Sequence, residues 1–154
     1  MRVVEIDQYR LHFTDSVLNL IDSYKQRNSR SPESGGILLG QVKDNDVYIM
    51  KASIPTTWDK ATRRSFIRNK EIAQQIIDYE FANSGNRTIY LGEWHTHPEK
   101  YPHPSKVDEK MITDQYRMND LNEPFLILFI QGINGMYIGL INKSGLHGMP
   151  IKTR

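Results

Sequence analysis

The spacing of apolar residues changes period several times along this chain, and each change marks an element. From Val3 to Phe13 apolar and polar residues alternate at short range, which predicts one or two short strands. Val17, Leu18, Ile21 and Tyr24 then recur at helical spacing behind Thr14 or Asp15 as N-cap, and Lys25, Arg27 and Arg30 suit the negative end of that helix. Asn28 to Ser34 is a polar turn region. Two further alternating stretches, Gly36 to Lys43 and Val47 to Ser53, flank Asn45-Asp46 and predict a hairpin. A second helix is predicted with Asn69 as its cap and Ile72, Ala73, Ile76, Ile77 and Tyr79 on its buried side; Asn83-Ser84-Gly85-Asn86 ends it. Thr88 to His97 predicts a strand, and Lys106 to about Asn119 a helix with Asp108, Met111 and Ile112 on one face. The continuous apolar run Phe125 to Ile130 predicts a fully buried central strand, followed across a Gly132-Ile133-Asn134-Gly135 turn by a strand from Gly135 to Asn142. The tail after Gly145 is expected to be short, with Lys152 and Arg154 loose. Strands and helices mix without regular βαβ alternation, so the expected class is α+β, with helices packed on a curved, mixed sheet.

A length of 154 residues suits one domain spanning 1–154. A formal net charge of +2 is too small to argue for nucleic acid or membrane as partner. The chain has no cysteine, which excludes disulfides, thiolate nucleophiles and cysteine-rich zinc sites. Met1 to Arg10 contains no apolar leader region and no run approaches membrane-spanning length, so a cytoplasmic protein is expected. Lys60, Arg63, Arg64, Arg68 and Lys70 form a basic cluster around Phe66 and Ile67. A solvated basic face is its default reading, with a substrate-docking strand or a phosphate contact as the alternative.

The chemistry concentrates in Gly92-Glu93-Trp94-His95-Thr96-His97-Pro98 and Ser105-Lys106-Val107-Asp108. Two histidines one residue apart put both imidazoles on one face of a strand. Pro98, Pro102 and Pro104 stiffen the loop that follows, and Ser105 with Asp108 has the spacing of a helix capping box. The first turn of that helix can bring Asp108 back to the histidines. Two imidazoles and a carboxylate supply three ligands to a zinc ion and leave its fourth position open. Each half alone is weak, since a capping box is commonly structural and a His-x-His pair is commonly two polar strand residues. An unpaired carboxylate on the inward face of the helix would be costly, and a cation would resolve that cost. His103 is expected to be a solvated loop histidine, because a fourth protein ligand would close the open position. Trp94 alternates away from the histidines and is expected in the core, while Trp58 remains a candidate lining residue.

The run His95-Thr96-His97, seven residues, Ser105, two residues, Asp108 resembles the signature of the JAMM (MPN-type) zinc metalloproteases. Glu33-Ser34-Gly35-Gly36-Ile37-Leu38-Leu39-Gly40 is similar to the upstream glutamate and small-residue strand of the same family. From the residues alone two glutamates compete for the base. Glu93 shares the parity of the histidines and could orient an imidazole or form a structural ion pair, whereas Glu33 is distant in sequence. The resemblance favours Glu33 as the residue that activates water, with His95, His97 and Asp108 holding Zn2+ and Ser105 stabilising the oxyanion. It further implies hydrolysis of the amide or isopeptide bond after the C-terminus of a ubiquitin-like protein, as substrate conjugate or precursor. The compact length resembles stand-alone prokaryotic members, including those beside ubiquitin-transfer-like enzymes in anti-phage CBASS operons. Two other classes stay open: a RadC-like protein linked to DNA repair, although His97-Pro98 is not followed by the Ser-Gly of that family, and a non-catalytic MPN-type scaffold, although every ligand position is filled.

Overall fold

The computed structural model describes residues 1–152. Its strands are β1 (Arg2–Ile6), β2 (Tyr9–Phe13), β3 (Gly35–Lys43), β4 (Asp46–Ala52), β5 (Lys60–Thr62), β6 (Ser65–Ile67), β7 (Ile89–Thr96), β8 (Leu126–Gln131), β9 (Gly135–Asn142) and β10 (Gly145–Lys152). The helices are α1 (Asp15–Asp22), α2 (Lys70–Asn83) and α3 (Lys106–Met118). One mixed sheet runs β1-β2-β4-β3-β7-β8-β9-β10, and β5-β6 stands apart as a small hairpin. Among the described residues, only β2–β4 and β7–β8 are parallel neighbours in it. Parallel neighbours cannot be joined by a tight turn. The β7-to-β8 connection therefore crosses over through α3, which starts beside the end of the histidine strand.

The sheet is strongly curved. Three strands separate β2 from β8, so a flat sheet would hold them ~19 Å apart at ~4.8 Å per strand. Instead the rings of Phe13 and Phe129 lie 5.4 Å apart, and those of Tyr9 and Phe125 4.5 Å apart. The curl encloses the main core, which includes Leu11, Phe13, Ile49, Trp94, Phe125 and Phe129 together with Val17 and Ile21 of α1. On the other face, Ala73 of α2 covers Ile37 and Leu39, and Ile112 of α3 covers Leu126, Leu128 and Ile130. The α+β architecture with helices on a curved mixed sheet is thus present, and Trp94 is core, 1% exposed. Among the described residues no helix is long and apolar enough to cross a membrane.

Three sequence expectations change. The segment after Gly145 is not a loose tail but edge strand β10, paired with β9 from Gly145 to Lys152; Arg154 lies outside the described residues. Gly148 is required there, because a Cβ would stand 2.2 Å from the Tyr137 hydroxyl lying across it. Tyr79 is 65% exposed, since six positions after buried Ala73 a helix has turned to its outer side. The basic segment forms the β5–β6 hairpin, with Lys60, Arg63 and Arg64 exposed, but Arg68 is drawn inward.

Candidate metal centre

Strand β7 carries His95 and ends at Thr96, His97 follows directly after it, both imidazoles are buried, and α3 presents Asp108 from its first turn. Ser105 caps α3 as its spacing predicts: its Oγ accepts from the Asp108 amide at 3.1 Å, and its own amide donates to Asp108 Oδ2 at 2.8 Å. That reciprocal pair fixes the carboxylate's orientation. Its two oxygens then reach the histidines, Oδ1 lying 3.0 Å from His95 Nε2 and Oδ2 3.0 Å from His97 Nε2. The two Nε2 atoms are 3.3 Å apart. Three side chains thus aim ligand atoms at one point.

These spacings suit a small divalent ion. With bonds of ~2.0–2.2 Å, a tetrahedral centre separates its ligand atoms by roughly 3.3–3.6 Å. Glu33 joins from the loop before β3: Glu33, His95 and His97 are all buried and can each offer a ligand atom within 4.8 Å of the others. The His97 Nδ1 is buried without a hydrogen-bond partner among the described residues, although a Glu99 carboxylate oxygen lies 3.2 Å away out of line. His103 is exposed and takes no part.

The electrostatics follow from this crowding. Burial pushes the Asp108 carboxyl up, but hydrogen bonds with His95 and His97 outweigh it and hold the group well below the usual carboxylate range. Burial likewise disfavours a charged His97, yet Asp108 raises its pKa above the ordinary imidazole value. Burial pushes Glu33 up to about 7, with the His97 charge working against the rise. The result is a carboxyl that exchanges its proton near neutrality beside a compact donor cluster.

Glu93 shares the histidine face but hydrogen-bonds to neither imidazole. Its Oε1 accepts from Arg68 Nε at 2.7 Å and its Oε2 from the Tyr90 hydroxyl. Arg68 also donates to Gln115 Oε1 of α3 at 3.2 Å. This buried ion pair floors a groove of about 590 Å³ between α2 and α3 that ends at His95, with Phe66 and Ile67 of β6 on one wall. Arg68 and Tyr90 are contributors that periodicity does not expose, because one sits in a basic cluster and the other in an apolar strand. Gly35 lets Phe66 lie against the loop of Glu33, since a Cβ would stand 2.5 Å from the Phe66 ring.

Several known proteins resemble this chain over most of its length. Residues 19–137 match the family model of prokaryotic homologs of the JAB domain. A CD-NTase/cGAS isopeptidase of Pseudomonas aeruginosa is 35% identical over 135 residues, covering 88% of this chain and 85% of the relative. One of Escherichia coli with the same name is 34% identical over 152 residues, covering 97% and 95%. A probable metalloprotease of Sinorhizobium fredii is 29% identical, covering 79% of each chain. The solution structure of a Desulfitobacterium hafniense protein superposes with a TM-score of 0.64 at 17% identity, over 90% of this chain and 89% of the other.

Proposed function

Because the chain belongs to the family of prokaryotic homologs of the JAB domain, we propose that it is a zinc-dependent isopeptidase acting after the C-terminus of a ubiquitin-like protein. In this reading residues 1–154 form one such domain, at work in the cytoplasm on a conjugate or a precursor. The observation that carries it is the convergence of His95, His97 and Asp108 at 3.0–3.3 Å beside buried Glu33. Relatives named for CD-NTase/cGAS support a conjugate within an anti-phage CBASS-type system as the substrate.

His95, His97 and Asp108 would hold Zn2+, which when bound supplies a Lewis acid and lowers the pKa of water toward ~7. Glu33 takes a proton from the attacking water and passes it to the leaving amine. Burial pushes this carboxyl up to about 7 in the metal-free protein, and a bound cation beside it would draw it back toward the ionised form that accepts a proton. Ser105 accepts from the Asp108 amide through one lone pair, so its hydroxyl proton is left to donate to the developing oxyanion. Loss of one such donor typically costs ~2.7–4 kcal/mol of transition-state stabilisation. The groove beside His95 gives an extended C-terminal tail a path to the reacting centre.

Metal analysis and cleavage of a ubiquitin-like fusion, run on the same preparations, test this reading. Wild type should carry zinc and cleave. His97→Ala should lose both, and Glu33→Gln should keep zinc while turnover falls ~10²–10⁴-fold. Wild-type protein that takes up no zinc, or a Glu33→Gln variant that cleaves normally, overturns it.

A further inference from the structure

Gln26 lies just past α1, far from the histidines in sequence, yet it is 2% exposed and all of its polar atoms are engaged. Its Nε2 donates to the Ser31 and Arg63 carbonyls, each at 3.0 Å. Its Oε1 accepts from the Thr96 hydroxyl at 2.9 Å. Thr96 is the residue between the two histidines, and its Oγ1 in turn accepts from the Ser34 amide at 2.9 Å. The Thr96 amide donates to the Ser34 carbonyl at 2.9 Å, and the Glu33 amide donates to the Thr62 carbonyl at 2.7 Å. Three pieces of backbone therefore meet at one side chain: the loop carrying Glu33, the turn of the β5–β6 hairpin at Arg63, and the histidine strand.

We infer that Gln26 is a positioning residue for the reaction: through Thr96 and the Arg63 carbonyl it clamps the Glu33 loop and the hairpin to the histidine strand. The inference rests on the hydrolase reading for its catalytic meaning, while the clamp itself stands on the bonds just given. A carboxamide suits the task because it offers two donors and one well-directed acceptor without charge. Buried polar groups cost free energy unless paired, so the arrangement is favoured only while all three partners are in place. Glu33 has no side-chain hydrogen bond among the described residues that would hold it otherwise; its location is set by the backbone on either side. The hairpin whose Phe66 packs on Gly35 is the same one that walls the groove, so base and groove wall are held as one body.

Gln26→Met keeps the length of the side chain and removes its hydrogen bonds, and Thr96→Val against Thr96→Ser removes or keeps the relay hydroxyl. In purified protein with zinc in the buffer, amide hydrogen exchange should quicken at Glu33 and Ser34 in Gln26→Met and Thr96→Val, with the Ser53 amide, bonded to the Ile37 carbonyl, unchanged. Thr96→Ser should stay close to wild type. On a ubiquitin-like fusion, kcat should fall on the order of 10²-fold with KM nearly constant and zinc content intact, as a misplaced base requires. Exchange that is unaltered, or that quickens equally everywhere, overturns the clamp, and so does an unaltered kcat. If wild type neither holds zinc nor cleaves, the hydrolase reading fails, and the exchange pattern still decides the clamp.

Discussion

Glu33 is 5% exposed, and its burial has a consequence for stability that needs no substrate. In the metal-free protein its carboxyl is pushed from the ordinary 4.5 to about 7. The folded state thus binds this proton more tightly than the unfolded state does. Its stabilising effect is fully present below pH ~4.5 and is lost as pH rises through about 7, to a total on the order of 3 kcal/mol. Urea denaturation of chelator-treated wild type and Glu33→Gln should therefore diverge: between pH 5 and pH 8 the wild type loses stability that the variant keeps. Parallel pH profiles would show that Glu33 is not desolvated in solution. Asp108 runs the opposite way, its depressed pKa favouring the ionised form that a cation needs.

At the scale of elements, α3 was the most legible part of the chain. Ser105 and Asp108 announce its start by type and spacing, and the capping box forms as those residues require. The bulge in β7 was not legible. Leu38 pairs with Gly92 and Leu39 with Tyr90, so Leu91 is an extra residue in the pairing with β3. Tyr90 and Glu93, three apart, consequently share a face, and the histidines keep the parity that period two assigns them. Nothing in the apolar pattern around Leu91 marks such a slip, because both faces of this strand are buried. The hairpin strands β5 and β6 are three residues each, too short for alternation to register. Edge strand β10 hid behind Gly145, Gly148 and Pro150, residues that read as turns and that an edge tolerates. Gln26 carries no sequence signal at all, since only the fold brings Arg63 and Thr96 to it. Gly92 offers a direct test of how tightly β7 is held. A Cβ there would stand 2.0 Å from the Ile127 carbonyl oxygen of the neighbouring strand, and backbone cannot swing aside. Gly92→Ala should cost about 1–3 kcal/mol by urea denaturation and weaken zinc uptake, because the shift is passed to His95. A change under ~0.5 kcal/mol would mean that the two strands part more easily than their packing indicates.

Across the whole molecule, the curled sheet supplies a rigid frame and the proposed ion supplies stability at one end of it. Ion binding to the folded form alone should raise stability by ~2.7 kcal/mol at a hundredfold excess over Kd. Chelation should lower the melting temperature, and Asp108→Ala should abolish the difference between treated and untreated protein; a chelator-insensitive wild type would count against the site. The two ends of the sheet approach each other where Asp7, in the β1–β2 turn, comes within 3.1 Å of His147 on β10. The parallel pairing of β7 with β8 has a further outcome. It keeps His95, His97 and Asp108 on one contiguous strand–loop–helix unit, while Glu33 arrives from a remote part of the chain. Short loops close before long ones. During refolding, capture of the ion should accordingly run ahead of regained turnover, and the interval between them would be the time the nascent protein spends loaded but inert.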